Sequence, residues 1–90
     1  MTSHLPQWVR VLQYLKQYNP ERFEFEAPPA LTQDGIADAL GITRAHTALV
    51  LKRLRDRGLV EERLVHITGG RRRRKAYVPS PLGVRWHIAA

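Results

Sequence analysis

The chain reads as a mainly α fold of the α+β class, with a three-helix core, a small antiparallel β-hairpin and a short C-terminal helix. Three observations predict it. Apolar residues recur at three- and four-residue steps in three separate stretches ahead of Gly58. Two runs suited to strands, Leu59 to Thr68 and Lys75 to Val78, flank the turn signal Gly69-Gly70. Ser80-Pro81 then offers a cap followed by proline at the first helical position.

A length of 90 residues supports one hydrophobic core, so residues 1–90 are expected to form a single domain. The sequence contains no cysteine, which excludes a disulfide framework and thiolate ligands and leaves packing and backbone hydrogen bonding to hold the core. No apolar run is long enough to cross a bilayer, and no charged start leads into an apolar signal core. A cytoplasmic, soluble protein with no membrane partner is therefore expected. Because the chain ends at Ala90 soon after its fourth helix begins, it also reads as a domain cut from a longer polypeptide.

The first helix is predicted over Leu5 to Tyr18, where Leu5, Trp8, Leu12 and Leu15 mark one face and Asn19-Pro20 stops it. Val11, Tyr14 and Tyr18 form a second stripe, more than a surface helix needs to cover one core. Together with Leu82, Trp86 and Ile88 of the last helix, that stripe is the expected contact with a second copy in a homodimer. Residues 20–31 contain Pro20, Pro28 and Pro29 among acidic residues and are expected to be a loop, with Phe23 or Phe25 anchoring it and Ala30-Leu31 pairing briefly as an edge strand.

At Thr32 a capping residue precedes Asp34, which suits the positive end of a helix, and Ile36, Ala37 and Leu40 supply one buried side. Gly41 can adopt the left-handed backbone that closes a helix, and Thr43 is a new cap two residues later. The two helices are thus expected to meet at a sharp corner. In the third helix, about residues 43–57, Thr47, Val50, Leu51 and Leu54 face the core, and Gly58 ends it. The hairpin tip, residues 69–75, carries the run Arg71, Arg72, Arg73, Arg74 and Lys75.

The formal net charge is +7. It is unevenly placed: residues 1–40 hold three Lys/Arg against five Asp/Glu, giving −2, and residues 41–90 hold twelve against three, giving +9. The second half therefore faces a polyanion, which charge alone leaves open among nucleic acid, an acidic membrane leaflet and an acidic protein.

The order of motifs narrows this choice. The Ile36-Ala37 pair, the Leu40-Gly41-Ile42-Thr43 corner, the Leu51-Lys52-Arg53-Leu54 run, Gly58-Leu59-Val60 ahead of the hairpin, and the closing segment from Tyr77 to Gly83 are each common alone, but their order and spacing are specific. In that order they resemble winged helix-turn-helix regulators, in particular the multiple-antibiotic-resistance-regulator type and related archaeal domains. The resemblance covers more than half of the chain. It implies a three-helix core with a two- or three-stranded wing, and double-stranded DNA as the usual ligand.

Physical chemistry leads to the same assignment of roles. A helix fits the major groove and offers base-contacting side chains from its N-terminal half, while the preceding helix can aim free amides at phosphate. Thr32 and Gln33 stand at the start of the second helix for that task, and Thr43 at the start of the third. The buried positions of the third helix leave Arg44, Ala45, Ala48, Leu49, Lys52 and Arg53 outward, with His46 at the margin. Arg44 is the candidate for a guanine contact, His46 for a base or phosphate contact, and Lys52 and Arg53 for phosphate. Arg71 to Lys75 are candidates for phosphate or minor-groove contact, against the plainer reading of a solvated loop tip.

Ala45, Ala48 and Leu49 depart from the usual pattern, because apolar side chains can pack on thymine methyls but cannot hydrogen-bond a base edge. Modest sequence specificity is expected. The same patch supports a rival reading, a winged helix used as a protein-interaction adaptor within a larger protein. A basic hairpin could also serve RNA through backbone contacts.

Other classes find no foothold. His4, His46, His66 and His87 are scattered without metal-ligand spacing, and His66 is expected on the exposed side of its strand. Ser3 and Ser80 lack a nucleophile motif, and no glycine-rich loop with a following lysine cradles a nucleotide. Trp8 and Trp86 read as core or interface residues. Neither enzymatic activity nor a metal, cofactor or small-molecule ligand is expected.

Overall fold

The computed structural model describes residues 5–87. Ser3, His4 and Ile88, singled out above, lie outside them. Helix α1 spans Gln7–Leu15, shorter at both ends than its apolar pattern. Pro6 stands at its N-cap, where its carbonyl accepts from the amides of Val9 and Arg10. After Leu15 the backbone tightens into three-residue hydrogen bonds, Gln17 to Tyr14 and Tyr18 to Leu15. Helices α2, Gln33–Leu40, and α3, Arg44–Asp56, follow, and both pack on α1 and on each other.

The segment between α1 and α2 is more ordered than a loop. Pro20–Phe23 and Pro29–Leu31 are single 3₁₀ turns, each opened by a proline whose missing amide is not needed there. The expected edge strand at Ala30-Leu31 is corrected: the strand, β1, is Glu26–Ala27. The pair Pro28-Pro29 accounts for the shift, since it removes two ladder donors and starts a turn, so pairing has to finish before it. Of the two candidate anchors, Phe23 packs on the core and against the Tyr18 ring, whereas Phe25 is 80% exposed.

Strand β2, Val60–Ile67, pairs antiparallel with β3, Arg73–Pro79, from Val60 opposite Pro79 to His66 opposite Arg73. On its other edge β2 pairs in parallel with β1, Glu26 beside His66 and Ala27 beside Ile67. The order β1-β2-β3 makes a three-stranded sheet in which β2 falls one residue short of its expected range at each end and β3 extends beyond its own. Half of the arginine run is thus strand, since β3 begins at Arg73. Ser80 caps the five-residue helix α4, Pro81–Arg85, through a bond from the Gly83 amide, and Trp86 returns to extended backbone.

The core forms where the helices meet the inner face of the sheet. Leu12, Leu15, Leu31, Ile36, Leu51 and Leu54 are fully buried, each stabilising the fold by about 1.5–3 kcal/mol through apolar burial. Thr47, Val50, Leu51 and Leu54 are the buried residues of α3, matching its period. Thr47 keeps its hydroxyl satisfied by donating to the Thr43 carbonyl at 2.8 Å.

Two glycines govern how α2 is seated. Gly41 closes the helix in the left-handed region at φ 68°, ψ 34°. Gly35 lies against the second 3₁₀ turn so closely that an added Cβ would stand 2.1 Å from the Pro29 carbonyl oxygen and 2.8 Å from the Ala30 Cα. Both obstacles are backbone, so relief requires moving a helix. Gly35→Ala is expected to cost about 2–3 kcal/mol, more than Gly41→Ala at about 1 kcal/mol, where only the dihedral is unfavourable. Urea midpoints of the two variants give the order; a smaller loss at Gly35 would show that α2 is not tightly seated.

Candidate nucleic-acid interface

The corner between α2 and α3 is held by several short contacts. The Ile42 amide donates to the Ala37 carbonyl at 3.1 Å, and the Thr43 hydroxyl accepts from the His46 amide at 3.1 Å. From the start of α2, Gln33 Nε2 donates to the Arg44 carbonyl at 3.2 Å. Arg10 of α1 donates to the Leu40 carbonyl at 3.2 Å, bracing the far end of α2. The first turn of α3 therefore has little freedom relative to α2.

Asp34 joins this corner to the wing. Its Oδ2 lies 3.4 Å from an Arg74 terminal nitrogen, so one carboxylate of α2 meets a side chain of α3 and one of β3. Asp34 Oδ1 is enclosed and stands 2.6 Å from Arg44 Nε without the alignment of a hydrogen bond, so that contact is an ion pair. Gln33, Asp34, Arg44, Leu64, Arg73, Arg74, Lys75 and Tyr77 line an open cleft between the edge of β3 and the helix starts. The arginine-bearing strand and the first turn of α3 thus share one side of the molecule.

The two flanks of α3 differ. On one, Arg55 reaches Glu62 of β2 at 2.6 Å. On the other, Arg53 and Arg57 line a hollow with Trp8, and the Arg57 guanidinium lies 5.7 Å from the indole centre. Between them lie Ala45, Leu49 and Lys52, with Ala48 partly covered; Leu49 is 44% exposed and Lys52 pairs with Asp56 at 3.1 Å. His46 is exposed.

At the wing tip Gly69 takes φ 86° and the Gly70 amide donates to the Ile67 carbonyl at 2.8 Å. Three side chains tie the turn to β1. Thr68 donates to Glu26 at 3.0 Å, while His66, on the exposed face, lies 3.6 Å from Glu26 through Nδ1 and 2.9 Å from the Gly70 carbonyl through Nε2. The five basic residues then divide. Arg74 is held by Asp34, Lys75 lies 3.8 Å from Glu62, and Arg73 donates to the Leu64 carbonyl at 3.3 Å. Arg71 and Arg72 are exposed and have no hydrogen-bond or charge partner among the described residues.

Two expectations require correction. Thr32 is buried, its amide donates to the Pro29 carbonyl at 3.0 Å, and its hydroxyl donates to the same carbonyl at 2.7 Å while accepting from the Gly35 amide at 3.1 Å, so it has neither a free amide nor a free hydroxyl for phosphate. Val11 belongs to the core at 0% exposure, because α1 is wrapped by α3 on one side and the sheet on another, and it cannot reach a second chain. The rest of the aromatic stripe is partly engaged within its own chain. The Tyr14 hydroxyl donates to the Ala30 carbonyl at 2.9 Å, Tyr18 packs against Phe23, and Trp8 and Trp86 meet edge to face at 5.2 Å. Leu82 is half exposed.

Sequence reading missed Asp34 as a partner of two arginines, and Glu62 as the hub of Arg55, Lys75 and Tyr77. In a linear chain Asp34 looked like a helix-start residue, and no local signal links it to Arg74, 40 positions away. Glu62 could be placed only by knowing the hairpin register, which sets it opposite Tyr77.

A three-helix core with its second and third helices at a tight corner, followed by a basic antiparallel wing, defines a winged helix-turn-helix domain. Residues 9–70 match the Crp-like helix-turn-helix domain, and the chain belongs to that DNA-binding family. Comparison with curated proteins and with solved structures yields no match. Among the described residues no helix is long and apolar enough to cross a membrane.

Beside the cleft, the Tyr77 hydroxyl donates to Glu62 at 3.1 Å. Burial above all, then the negative charge of Glu62 and the hydrogen bond to it, push this hydroxyl from 10.0 up to about 12, against an opposing pull from Arg55. Folding favours the protonated form. Its contribution to stability is therefore complete below pH 10 and lost as pH rises towards about 12. Thermal melting across that window is expected to show a steeper alkaline decline for the parent than for Tyr77→Phe; parallel curves would exclude the linkage.

Proposed function

We propose that the domain binds double-stranded DNA as part of a transcriptional regulator, with α3 in the major groove and the wing on phosphate or in the minor groove. The observation that carries this reading is the convergence of Arg44 and Arg74 on Asp34, which sets helix start and wing on one side. Arg44 would reach a guanine edge, Thr43 and His46 a base or nearby phosphate, and Lys52 and Arg53 the backbone to either side. The start of α2 would meet phosphate through its amides beside Gln33. Arg71 and Arg72, exposed and unpaired, are free to replace the counterions of a duplex. The Ile36 to Thr43 corner and Gly58-Leu59-Val60 support a relationship to the multiple-antibiotic-resistance-regulator type within this broad class. A cytoplasmic location follows from such a role.

A homodimer through the exposed Leu82, with the outer edges of Tyr14, Tyr18 and Trp86, would let two copies read half-sites about one helical turn apart. One observation favours a second reading, the adaptor: Leu49 is 44% exposed next to Ala45 and Ala48 on the face that would enter the groove.

Titration of random-sequence duplex DNA, duplex RNA and single strands at two salt concentrations tests the proposal. Duplex DNA is expected to bind tightest, with affinity falling steeply as salt rises. Replacing Arg71 to Arg74 by alanine should weaken every duplex on the order of tenfold to a hundredfold and reduce the salt slope by roughly three. An unchanged slope would remove the wing from the interface, and no binding by the parent chain would favour the adaptor.

A further inference from the structure

Asp34 is an acidic residue inside a surface otherwise built to meet a polyanion, and that placement calls for a reason. A free carboxylate facing phosphate raises the cost of binding any duplex, whatever its sequence. Here it is not free: it pairs with Arg44 at 2.6 Å and Arg74 at 3.4 Å. Its position in the first turn of α2, after the Thr32 cap, is one where the helix dipole favours negative charge. Gln33 beside it fixes the first carbonyl of α3, so carboxylate and helix start are held in one frame.

The atoms involved matter. Arg44 meets Asp34 through Nε, and its two terminal amino groups make no hydrogen bond within the described residues. Those two groups form a fork of the width that matches guanine O6 and N7. An unrestrained arginine on an exposed helix start would instead sample many rotamers and take the nearest phosphate. The pairing with Arg74 has a second effect, because it cancels one of the wing charges that would otherwise hold any backbone.

We propose that Asp34 is the specificity-determining residue of this interface, a positioning residue that aims Arg44 at a guanine and withholds Arg74 from indiscriminate phosphate contact. This rests on the DNA-binding reading above. The apolar outer face of α3 heightens its weight, since Ala45, Ala48 and Leu49 contribute no hydrogen bond to a base edge, leaving Arg44 a large share of the discrimination.

The test uses the whole 90-residue chain. A preferred duplex is first selected from a randomised pool with the parent protein, then compared with random duplex for the parent, Asp34→Asn, Asp34→Ala, Arg44→Ala and the Asp34→Ala/Arg44→Ala pair. Removing the carboxylate is expected to raise affinity for random duplex about two- to fivefold and to steepen the salt slope by about one as Arg74 is released. Preference for the guanine contacted by Arg44 should fall roughly tenfold. In the Arg44→Ala background the loss of Asp34 should no longer change base preference, although the steeper salt slope persists. A merely structural role would lower melting temperature and affinity together and move neither preference nor slope. An unchanged ratio of selected to random affinity in Asp34→Ala overturns the proposal while leaving DNA binding intact. A parent chain that enriches no sequence from the pool yet binds duplex overturns it too, and one that binds no duplex overturns both readings.

Discussion

The arrangement depends on the seating of α2. This eight-residue helix is closed at one end by the left-handed turn at Gly41 and pressed at its start against the Pro29–Leu31 turn through Gly35. Those constraints set where α3 begins and point Asp34 at both Arg44 and β3. A helix this short has little intrinsic stability in water, so its position comes from packing and from its ends. Thr32 satisfies the start, Gly41 the finish, and Ile36 anchors the middle in the core.

Charge is organised around that frame. The excess of basic residues after Gly41 would repel itself if left unpaired, and a few acidic residues on other elements divide it into held and free parts. Glu62 takes Arg55 and Lys75, Asp56 takes Lys52, and Asp34 takes Arg44 and Arg74. These pairs are exposed to varying degrees and contribute little to folding. Their consequence is to leave unopposed charge at the wing tip, on Arg71 and Arg72, on the Arg53 flank of α3, and on Arg85 of α4.

Much of the fold was legible because it rests on local rules. Thr32, Thr43 and Ser80 cap helices as their types and settings indicate, and the buried side of α3 follows its period without exception. The parts that were not legible are set by long-range geometry. The strand Glu26–Ala27 exists only because β2 offers it an edge, and two residues carry no periodicity to detect. Val11 looked like surplus surface because the width of an apolar stripe on one helix does not reveal how many neighbours will cover it. Thr32 was assigned two roles by its position, and its burial leaves only the structural one. Among the site residues, the arginines were visible by their charge, while the carboxylate that organises them was hidden by its ordinary place in a first turn.

The apolar outer face of α3 and the pairing at Asp34 belong to one problem. A strongly basic surface gains affinity from any backbone, and each added phosphate contact raises selected and random sites alike, so charge alone cannot create discrimination. Discrimination needs side chains whose geometry is fixed before contact. On α3 few are available: Ala45 and Ala48 are too short, Leu49 has no donor, and Lys52 is engaged with Asp56. On the proposed reading, a helix with so few polar groups gains most from restraining the longest of its base readers, Arg44, and the restraint has to come from outside the helix. The start of α2 is such a place, already fixed by a cap and a close backbone contact. A carboxylate there can steer an arginine without itself needing to enter the groove.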